Sequence, residues 1–395
     1  MEILIADKLS EKAVSALEKL GAKVTVNPDL TTEQLPQAIG NAEILIVRST
    51  KVDAATMDAA PCLSLIIRAG AGVNTIDLKH ASSHGIHVAN CPGKNTDAVA
   101  ELAIGHLIAA DRRIVAATCD MRAGRWKKKE YGKARGLKGR TLGIIGLGAI
   151  GKAVVKRAQG LEMNVIAWSR SLTPEKAEEL GIGYCSSPEQ VAEQSDAVTV
   201  HLAANADTEH FINKDFLSRM KDGAIFINAS RGEIVDTAAL KNAIKQKKLR
   251  VGLDVFENEP SVSAPDFEDK ELAEIATCTP HIGASTDQAA EAIADEVVRI
   301  VQTYKETGKP LDTVNIREKS SATYNLIVRH YNRVGVLAGV LDELRNEGIN
   351  IEEMENTIFE GGQAASCSLK LDDKPSQATI KKIAAGENMI QVMLK

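Results

Sequence analysis

Aromatic residues are scarce in this chain and make up 3% of its 395 residues. Proteins that bind single-stranded nucleic acids stack the bases on aromatic side chains, so no nucleic-acid partner is expected. The formal net charge of −5 also offers no general attraction to phosphate groups or to an anionic membrane surface. One basic stretch, residues 122–140, has only Trp126 and Tyr131 as aromatics, and we interpret it as a solvated arm.

Long apolar runs are absent as well. No stretch approaches the roughly 20 apolar residues that a membrane-spanning helix needs, so no membrane partner is expected. The chain starts directly with a strand-like segment at residues 3–6, which is not the pattern of a secretion signal. The six cysteines are scattered without CxxC spacing, which favours reduced thiols over disulfides or a zinc site. We therefore expect a cytoplasmic protein with no bound metal.

Short apolar runs alternate with helical patterns through most of the chain. This alternation predicts an α/β fold built from doubly wound parallel sheets. The runs predicted to be strands are residues 3–6, 44–48, 65–68, 87–90, 141–145, 165–168, 198–202, 224–228, 252–256 and 277–280. The helical patterns include residues 11–20, 96–112, 238–246 and 286–307.

The stretch Gly146–Gly151 has the spacing GxGxxG and lies between a predicted strand and a predicted helix at residues 152–160. In that context, backbone N–H groups and the helix N-terminus can bind a pyrophosphate. Gly146 permits the tight turn, Gly148 lets the backbone approach the phosphates, and Gly151 lets the helix pack on the strand. The motif therefore predicts a dinucleotide-binding domain.

The single glycine motif also predicts how the chain is divided. We predict a nicotinamide dinucleotide-binding domain at residues 95–281 and a substrate lobe formed by residues 1–94 and 282–317. After residue 320 the pattern restarts in the order βαββαβ, which is typical of a small ferredoxin-like domain at residues 320–395. Its predicted elements are residues 324–330, 337–347, 351–357, 365–371, 376–385 and 389–394.

Three polar residues, Arg231, Glu259 and His281, each follow a predicted strand. The carboxyl ends of the strands line the ligand crevice of an open α/β sheet. An arginine there can bind a substrate carboxylate through two hydrogen bonds, and a histidine can take a hydroxyl proton as a hydride leaves the carbon. A carboxylate on the other imidazole nitrogen makes the histidine more basic. The set predicts hydride transfer from a small hydroxy acid to a nicotinamide cofactor.

Five stretches of the sequence resemble the D-2-hydroxyacid dehydrogenases: residues 68–74, 146–151, 228–232, 252–260 and 279–283. The resemblance implies that Arg231, Glu259 and His281 are catalytic. It implies a Rossmann cofactor lobe inserted in a flavodoxin-like substrate lobe, and a homodimer built through the cofactor lobe. The cofactor-binding residues that it implies are Gly146, Gly148, Ala149, Ile150, Gly151, Ser169, Arg170, Ala229 and Asp254, with Asp254 on the nicotinamide carboxamide.

Basic residues on the substrate lobe favour the family members that oxidise 3-phosphoglycerate. A phosphorylated hydroxy acid needs a second cationic anchor besides Arg231, and arginine suits the geometry of phosphate. Arg48 and Arg68 are the candidates, although each is also interpretable as an ordinary surface charge at a strand end. The substrate-binding residues implied are Arg48, Ser49, Arg68, Asn74 and Arg231.

The tail at residues 320–395 resembles the ACT domain, a sensor of small molecules that pairs across subunits. Residues 330–335 and 348–351 resemble its effector loop and the start of its second strand, with Val334 where proline is usual. The resemblance implies that His330, Asn332 and Asn350 bind L-serine as an effector in a homodimer or homotetramer. The alternative is a dimerising tail that binds no ligand.

The choice of cofactor and the reaction have alternatives. Enzymes that use NAD usually place a carboxylate after the strand at residues 165–168, whereas Ser169 and Arg170 stand there. The family implies NAD, and an arginine at this point also favours tolerance of NADP. Alternatives to serine-regulated oxidation of 3-phosphoglycerate are reduction of glyoxylate or hydroxypyruvate, and a non-enzymatic nicotinamide-sensing scaffold.

Overall fold

Parallel strands alternate with helices over most of the computed structural model, which describes residues 1–260, 266–317 and 320–395. The described residues belong to two compact units, Met1–Asn315 and Ile316–Lys395. Among them, no helix combines the length and the apolar character needed to cross a bilayer.

The first sheet of unit Met1–Asn315 contains five parallel strands in the spatial order β2-β1-β3-β4-β5. Its central strand is buried at every position, as expected for an uninterrupted apolar run in a parallel sheet. The elements are β1 (Glu2–Ile5), α1 (Glu11–Lys19), β2 (Lys23–Val26), α2 (Leu35–Ala38), β3 (Ile44–Val47), α3 (Ala54–Asp58), β4 (Leu65–Arg68), α4 (Leu78–Ser83) and β5 (His87–Asn90).

The second sheet contains seven parallel strands in the order β12-β11-β10-β9-β6-β7-β8. The strand order reverses between β6 and β9, which is where a Rossmann sheet opens its ligand crevice. Its strands are β6 (Thr141–Ile145), β7 (Asn164–Trp168), β8 (Gly183–Tyr184), β9 (Ala197–Val200), β10 (Ile225–Asn228), β11 (Arg250–Leu253) and β12 (Thr277–Cys278).

Helices cover both faces of this second sheet, so its strands are buried between two apolar layers. The helices in the apolar layers are α5 (Thr96–Arg112), α8 (Ala149–Gly160), α9 (Pro174–Glu179), α10 (Pro188–Gln194), α11 (Lys214–Arg219), α12 (Thr237–Lys247) and α13 (Lys270–Ile275), with a 3₁₀ turn at Gly232–Ile234. Helices α6 (Ile114–Arg122) and α7 (Lys128–Tyr131) follow α5 in the chain and are largely exposed.

The long helix α14 (Asp287–Thr307) follows the second sheet in the chain and packs on the first. Its Val297 and Ile300 lie in one apolar core with Ile3 and Ile5 of β1, and all four side chains are fully buried or nearly so. The first lobe therefore combines segments from the beginning and from the end of the unit, and the second sheet lies between these segments in the sequence.

Unit Ile316–Lys395 is a four-stranded antiparallel sheet in the order β14-β15-β13-β16, with two helices. Its core joins strand residues such as Leu326 and Leu369 to helix residues such as Leu344 and Ile383. The elements are β13 (Tyr324–Tyr331), α15 (Val336–Glu347), β14 (Ile351–Ile358), β15 (Ala364–Leu371), α16 (Gln377–Ala384) and β16 (Met389–Leu394). This is the βαββαβ order expected from the sequence.

The predicted fold class is confirmed, whereas several element ends differ. The predicted strands 198–202 and 252–256 end at Val200 and Leu253, because the residues that follow leave the sheet to form loops at its edge. Helix α8 starts at Ala149 rather than at residue 152, because Gly148 takes the N-cap position.

Two strands and one buried arginine were not anticipated. Strands β2 and β8 are short, largely exposed edge strands, so their sequences carry no apolar run. The interpretation of residues 122–140 as a solvated arm is wrong at its end. Arg140 is buried, and its Nη1 donates a 2.8 Å hydrogen bond to Asp111 Oδ1, since a buried guanidinium needs an ionic partner.

Candidate active site

A cavity of about 780 Å³ lies in unit Met1–Asn315, between loops that follow strands of both parallel sheets. Parallel strands place their carboxyl ends on one edge, so residues distant in sequence converge there. The predicted site residues that line it are Asn74, Gly148, Ala149, Ile150, Ala229, Arg231, Asp254 and His281.

Arg231 is presented by a turn after β10 that the side chain of Asn228 braces. Asn228 is buried; its Oδ1 accepts hydrogen bonds from the backbone N and the Oγ of Ser230, at 3.0 and 2.7 Å. Its Nδ2 donates to the carbonyl of Arg231 at 2.9 Å. A side chain at Gly72 would collide with Arg231 Nη2, so the loop after β4 comes directly against the guanidinium. Asn74 Oδ1 borders the same point.

Glu259 and His281 form a close pair. Glu259 Oε2 lies 2.7 Å from His281 Nδ1, and Glu259 Oε1 accepts a hydrogen bond from the backbone N of Phe256. An ionised carboxylate only accepts, so Nδ1 carries the hydrogen and Nε2 keeps a lone pair. The two residues also line a neighbouring cavity of about 360 Å³.

His281 is held in a left-handed backbone conformation, with φ +51°. A non-glycine residue pays about 1–2 kcal/mol for this conformation, so its surroundings must impose it. The backbone N of His281 donates to the carbonyl of Asp254 at 2.8 Å. The buried Asp254 carboxylate then accepts from the backbone N of Ile282 and of Gly283, both at 2.8 Å. Asp254 therefore fixes the turn that orients the imidazole.

A buried chain of hydrogen bonds continues from Asp254 into the second sheet. Thr279 Oγ1 donates to Asp254 Oδ1 at 2.6 Å and lies 2.9 Å from His106 Nε2. The hydroxyl has one hydrogen, so His106 donates to it from Nε2. Burial lowers the pKa of His106, against the opposing effect of Asp254, and the neutral ring suits this role. Sequence reasoning missed His106, whose only signal was a polar residue within an apolar helix.

The glycine turn has the geometry that its sequence implies. Gly146 has φ +94°, and its backbone N donates to the carbonyl of Trp168 at 2.9 Å. A Cβ at Gly151 would collide with the carbonyl oxygen of Gly146, so only glycine allows this contact. A Cβ at Gly148 would meet open space on the cavity side, at the N-terminus of α8. These residues fit a dinucleotide pyrophosphate.

Ser169 and Arg170 follow β7, beside the glycine turn. Trp168, the last residue of the strand, stacks on Phe211 with ring centroids 5.5 Å apart. Ser169 is half-buried, its carbonyl accepts from the backbone N of Leu172, and Arg170 is exposed. The turn at this strand end thus carries the hydroxyl of Ser169 and the exposed guanidinium of Arg170, as the sequence indicates.

Arg68 ends β4 and pairs with Val47 of β3, so Arg48 follows β3 directly beside it. Burial, and then the charges of Arg231 and Arg48, lower the pKa of Arg68 to about 10. Arg68 Nε is buried and has no hydrogen-bond partner among the described residues. The carboxylate of Asp7 accepts from the backbone N of Arg48 and of Ser49, at 2.7 and 3.1 Å, which fixes the loop after β3. The combined positive charge of these three arginines suits the binding of a multiply charged anion.

His201 is a cavity-lining residue that the sequence analysis did not select. Burial lowers the pKa of His201 to about 4, so its ring is neutral at pH 7. Its Nε2 lies 3.0 Å from Thr199 Oγ1, and its Nδ1 is enclosed without a hydrogen-bond partner in the described part of the chain. A histidine directly after a strand, like His281, was the available signal.

The three effector residues expected in the tail are not brought together within one unit. Asn332 follows β13 and donates from Nδ2 to the carbonyl of Gly362, whereas the backbone N of Asn350 donates to Asp372 Oδ1. These contacts lie beyond opposite ends of β15, whose first and last residues are about 23 Å apart at 3.3 Å per strand residue. The buried His330 ring lies 2.9 Å from the carbonyl of Tyr331. A shared site therefore needs a second copy of the unit.

Comparison with known proteins gives consistent matches. The family described as D-isomer specific 2-hydroxyacid dehydrogenase, NAD binding domain matches residues 104–283. A D-3-phosphoglycerate dehydrogenase of Archaeoglobus fulgidus is 40% identical over 308 residues, which are 76% of this chain and 58% of that protein. A glyoxylate reductase of Thermococcus litoralis is 40% identical over 272 residues, 67% of this chain and 81% of that protein.

A solved structure is also similar to this chain. The TT0316 protein from Thermus thermophilus superposes with a TM-score of 0.71 at 32% identity, covering 80% of this chain and all of that one. The chain spans only 58% of the length of the phosphoglycerate dehydrogenase that it matches. The similarity to the shorter reductase covers most of that protein.

Proposed function

We propose, from the premise that this chain belongs to the D-isomer specific 2-hydroxyacid dehydrogenases, that it oxidises D-3-phosphoglycerate to 3-phosphohydroxypyruvate. This is the first step of L-serine biosynthesis. The observation that supports the proposal is geometric: Arg68 pairs with Val47 in the first sheet, so Arg48 follows directly beside it, and the loop after Arg68 contacts the guanidinium of Arg231. One arginine is enough for the carboxylate of a simple hydroxy acid, and the others supply the countercharge that a phosphate requires.

His281 is the proposed general base. With Nδ1 on Glu259, its Nε2 lone pair takes the hydroxyl proton while Arg231 holds the substrate carboxylate. A bound nicotinamide cofactor supplies the acceptor for the hydride that leaves C2. The C2–H bond breaks and the C–O bond becomes a carbonyl, so one hydride and one proton leave the hydroxy acid. Glu259 stabilises the imidazolium that results.

The cofactor is proposed to be NAD, with NADP also accepted. The glycine turn and the N-terminus of α8 are shaped for the pyrophosphate, and Ala229 and Asp254 line the same cavity. Ser169 can accept or donate at the ribose hydroxyls, and Arg170 can pair with the 2′-phosphate of NADP. Arg170→Ala should raise KM for NADP and leave KM for NAD within about twofold. Equal change with both cofactors would contradict the role of Arg170.

The test of the substrate compares 3-phosphohydroxypyruvate with hydroxypyruvate in the direction of reduction. Arg48→Ala and Arg68→Lys should each lower kcat/KM for the phosphorylated acid by about tenfold or more, since a charge-assisted hydrogen bond contributes about 1.5–3 kcal/mol. The unphosphorylated acid should change little. Arg219→Ala is the matched control, because it removes an exposed arginine that pairs with Glu193 in the other lobe. Equal loss on both substrates would place the phosphate elsewhere.

A second candidate is the reduction of glyoxylate or hydroxypyruvate, favoured by the 40% identity to a glyoxylate reductase and the 36% identity to a hydroxypyruvate reductase. The same three residues would perform it, with His281 donating a proton instead of accepting one. Wild-type kcat/KM values that are equal for hydroxypyruvate and its phosphate would select this candidate. A non-enzymatic scaffold is disfavoured, because a sensor needs no Glu259–His281 pair beside Arg231.

Serine regulation and assembly are also part of the proposal. We propose that unit Ile316–Lys395 is an ACT domain and that two copies pair in a homodimer or homotetramer. Pairing would place Asn350 of one copy close to His330 and Asn332 of the other, forming a site for the ammonium, carboxylate and hydroxyl of serine. The separation of Asn332 from Asn350 within one unit is what supports a site between copies.

A further inference from the structure

Three potential metal ligands meet on the surface of the first lobe, apart from the residues that line the cavity. Asp58 ends α3, His80 lies in α4, and His84 directly follows α4. The two histidines are four positions apart, which places them on one face of the helix. Their rings stack with centroids 4.1 Å apart. One ligand atom of each residue lies within 4.8 Å of the other two.

The hydrogen bonds of His84 point its other nitrogen towards Asp58. Its Nδ1 lies 3.0 Å from the carbonyl oxygen of His80, which can only accept, so Nδ1 carries the hydrogen. Nε2 then has a lone pair, and it lies 3.8 Å from Asp58 Oδ1. A cation placed between this lone pair and the carboxylate oxygen would interact favourably with both. Histidines that bind metals are oriented in this way, by an N–H donated to a backbone carbonyl.

The spacing of the ligand atoms suits a small cation after minor adjustment. His80 Nε2 lies 2.7 Å from Asp58 Oδ1. Tetrahedral Zn²⁺ with bonds of about 2.0–2.1 Å separates its ligand atoms by about 3.3 Å. The observed separations of 2.7 and 3.8 Å bracket that value. The Asp58 side chain is 58% exposed and has room to rotate, whereas His80 is 21% exposed and anchors the site.

We propose that Asp58, His80 and His84 bind a divalent transition-metal ion such as Zn²⁺ or Ni²⁺, with water completing the coordination. Imidazole nitrogen favours these ions over Mg²⁺ and Ca²⁺, which prefer oxygen ligands throughout. Binding replaces the hydrogen bond between His80 Nε2 and Asp58 Oδ1 with bonds from both atoms to the ion. The ion links the C-terminal ends of α3 and α4, and because it binds only the folded lobe it stabilises that lobe.

This site does not depend on the proposed dehydrogenase activity, and it differs from the sequence-based expectation of no metal. That expectation rested on the spacing of cysteines alone. The HxxxH spacing of His80 and His84 was visible in the sequence, but their third ligand comes from a separate helix and could not be assigned.

The test is calorimetric titration of the untagged, full-length protein with ZnCl₂, NiCl₂ and MgCl₂ near neutral pH. The background carries Cys62→Ser and Cys119→Ser, because both thiols are exposed and thiolates are good zinc ligands. His84→Gln and Asp58→Asn are compared with the control His210→Gln. His210 forms a similar exposed pair with Glu257, at 2.6 Å.

We expect one Zn²⁺ or Ni²⁺ per chain in the background protein and in His210→Gln, with no heat from Mg²⁺. His84→Gln and Asp58→Asn should each weaken Zn²⁺ binding by about tenfold or more. Zn²⁺ should also raise the Tm of the background protein more than that of His84→Gln, whose folding is checked by circular dichroism. Absence of a binding heat, or equal affinity in the background protein and His84→Gln, would overturn the proposal.

Discussion

Replacing Asp254 by asparagine tests whether its carboxylate holds the turn that carries His281. Oδ1 accepts from Thr279 Oγ1 and the backbone N of Ile282, and Oδ2 accepts from the backbone N of Gly283. An amide has one oxygen. Whichever way it is turned, its NH₂ group faces one of the two backbone N–H donors. One backbone donor therefore loses its partner in a buried place.

An unpaired buried N–H costs about 1–3 kcal/mol, so Asp254→Asn should lower the free energy of unfolding by about that amount. The turn would also relax from the left-handed conformation of His281, and kcat should fall about tenfold for each 1.4 kcal/mol of lost positioning. Equilibrium unfolding in urea, without cofactor, measures the first effect, and steady-state kinetics measures the second.

Thr279→Ser is the matched control for this substitution. It keeps the hydroxyl that donates to Asp254 and accepts from His106, and it leaves both backbone N–H groups paired, so the loss in unfolding free energy should stay below about 1 kcal/mol. If Asp254→Asn were as stable as the wild type within about 0.5 kcal/mol, the carboxylate would not be what fixes the turn.

Three further predictions concern the base, the imidazole of His201 and the tail. His281→Gln should lower kcat by about two to four orders of magnitude and raise the deuterium isotope effect at C2; a variant that keeps half of its turnover would remove His281 from the mechanism. The pKa of His201 is lowered to about 4, so between pH 6.5 and 4 this histidine is protonated in the unfolded chain but not in the folded chain. Stability should therefore fall as pH falls through that window, and His201→Gln should flatten the fall in urea titrations; an unchanged profile would contradict this. Asn350→Ala should abolish the calorimetric heat of serine binding without changing KM for the substrate. If millimolar serine gives the intact protein neither heat nor inhibition, the tail serves assembly alone.

The sequence predicted the two parallel sheets and the small antiparallel sheet because their strands are apolar runs of the right length. β3 and β10 are buried at every position, so each is an uninterrupted apolar run that predicts a strand. β2 and β8 were missed because edge strands with exposed side chains have no such run. The glycine turn was predictable from spacing, since Gly146 and Gly151 are imposed by backbone geometry rather than by distant contacts.

What the sequence could not provide were contacts between distant segments. The link from His106 through Thr279 to Asp254 joins residues far apart in the chain, and no local pattern indicates it. The burial of Arg140 depends on Asp111, so a run of basic residues looked uniformly solvated. Asn332 and Asn350 are close in sequence but occupy opposite ends of a sheet, which only strand register reveals.

The packing of α14 on the first sheet has a consequence for synthesis on the ribosome. Ile3 and Ile5 emerge early, but Val297 and Ile300, which cover them, come after the whole second sheet. At about 5–20 residues per second, the roughly 200 residues between β5, the last strand of the first sheet, and α14 take about 10–40 s to translate. During that interval the second sheet and its helices can fold alone, while one apolar face of the first sheet is covered only in part, by α1. Nascent chains stalled before residue 287 should therefore expose this face to chaperones, and release should follow once α14 has cleared the exit tunnel.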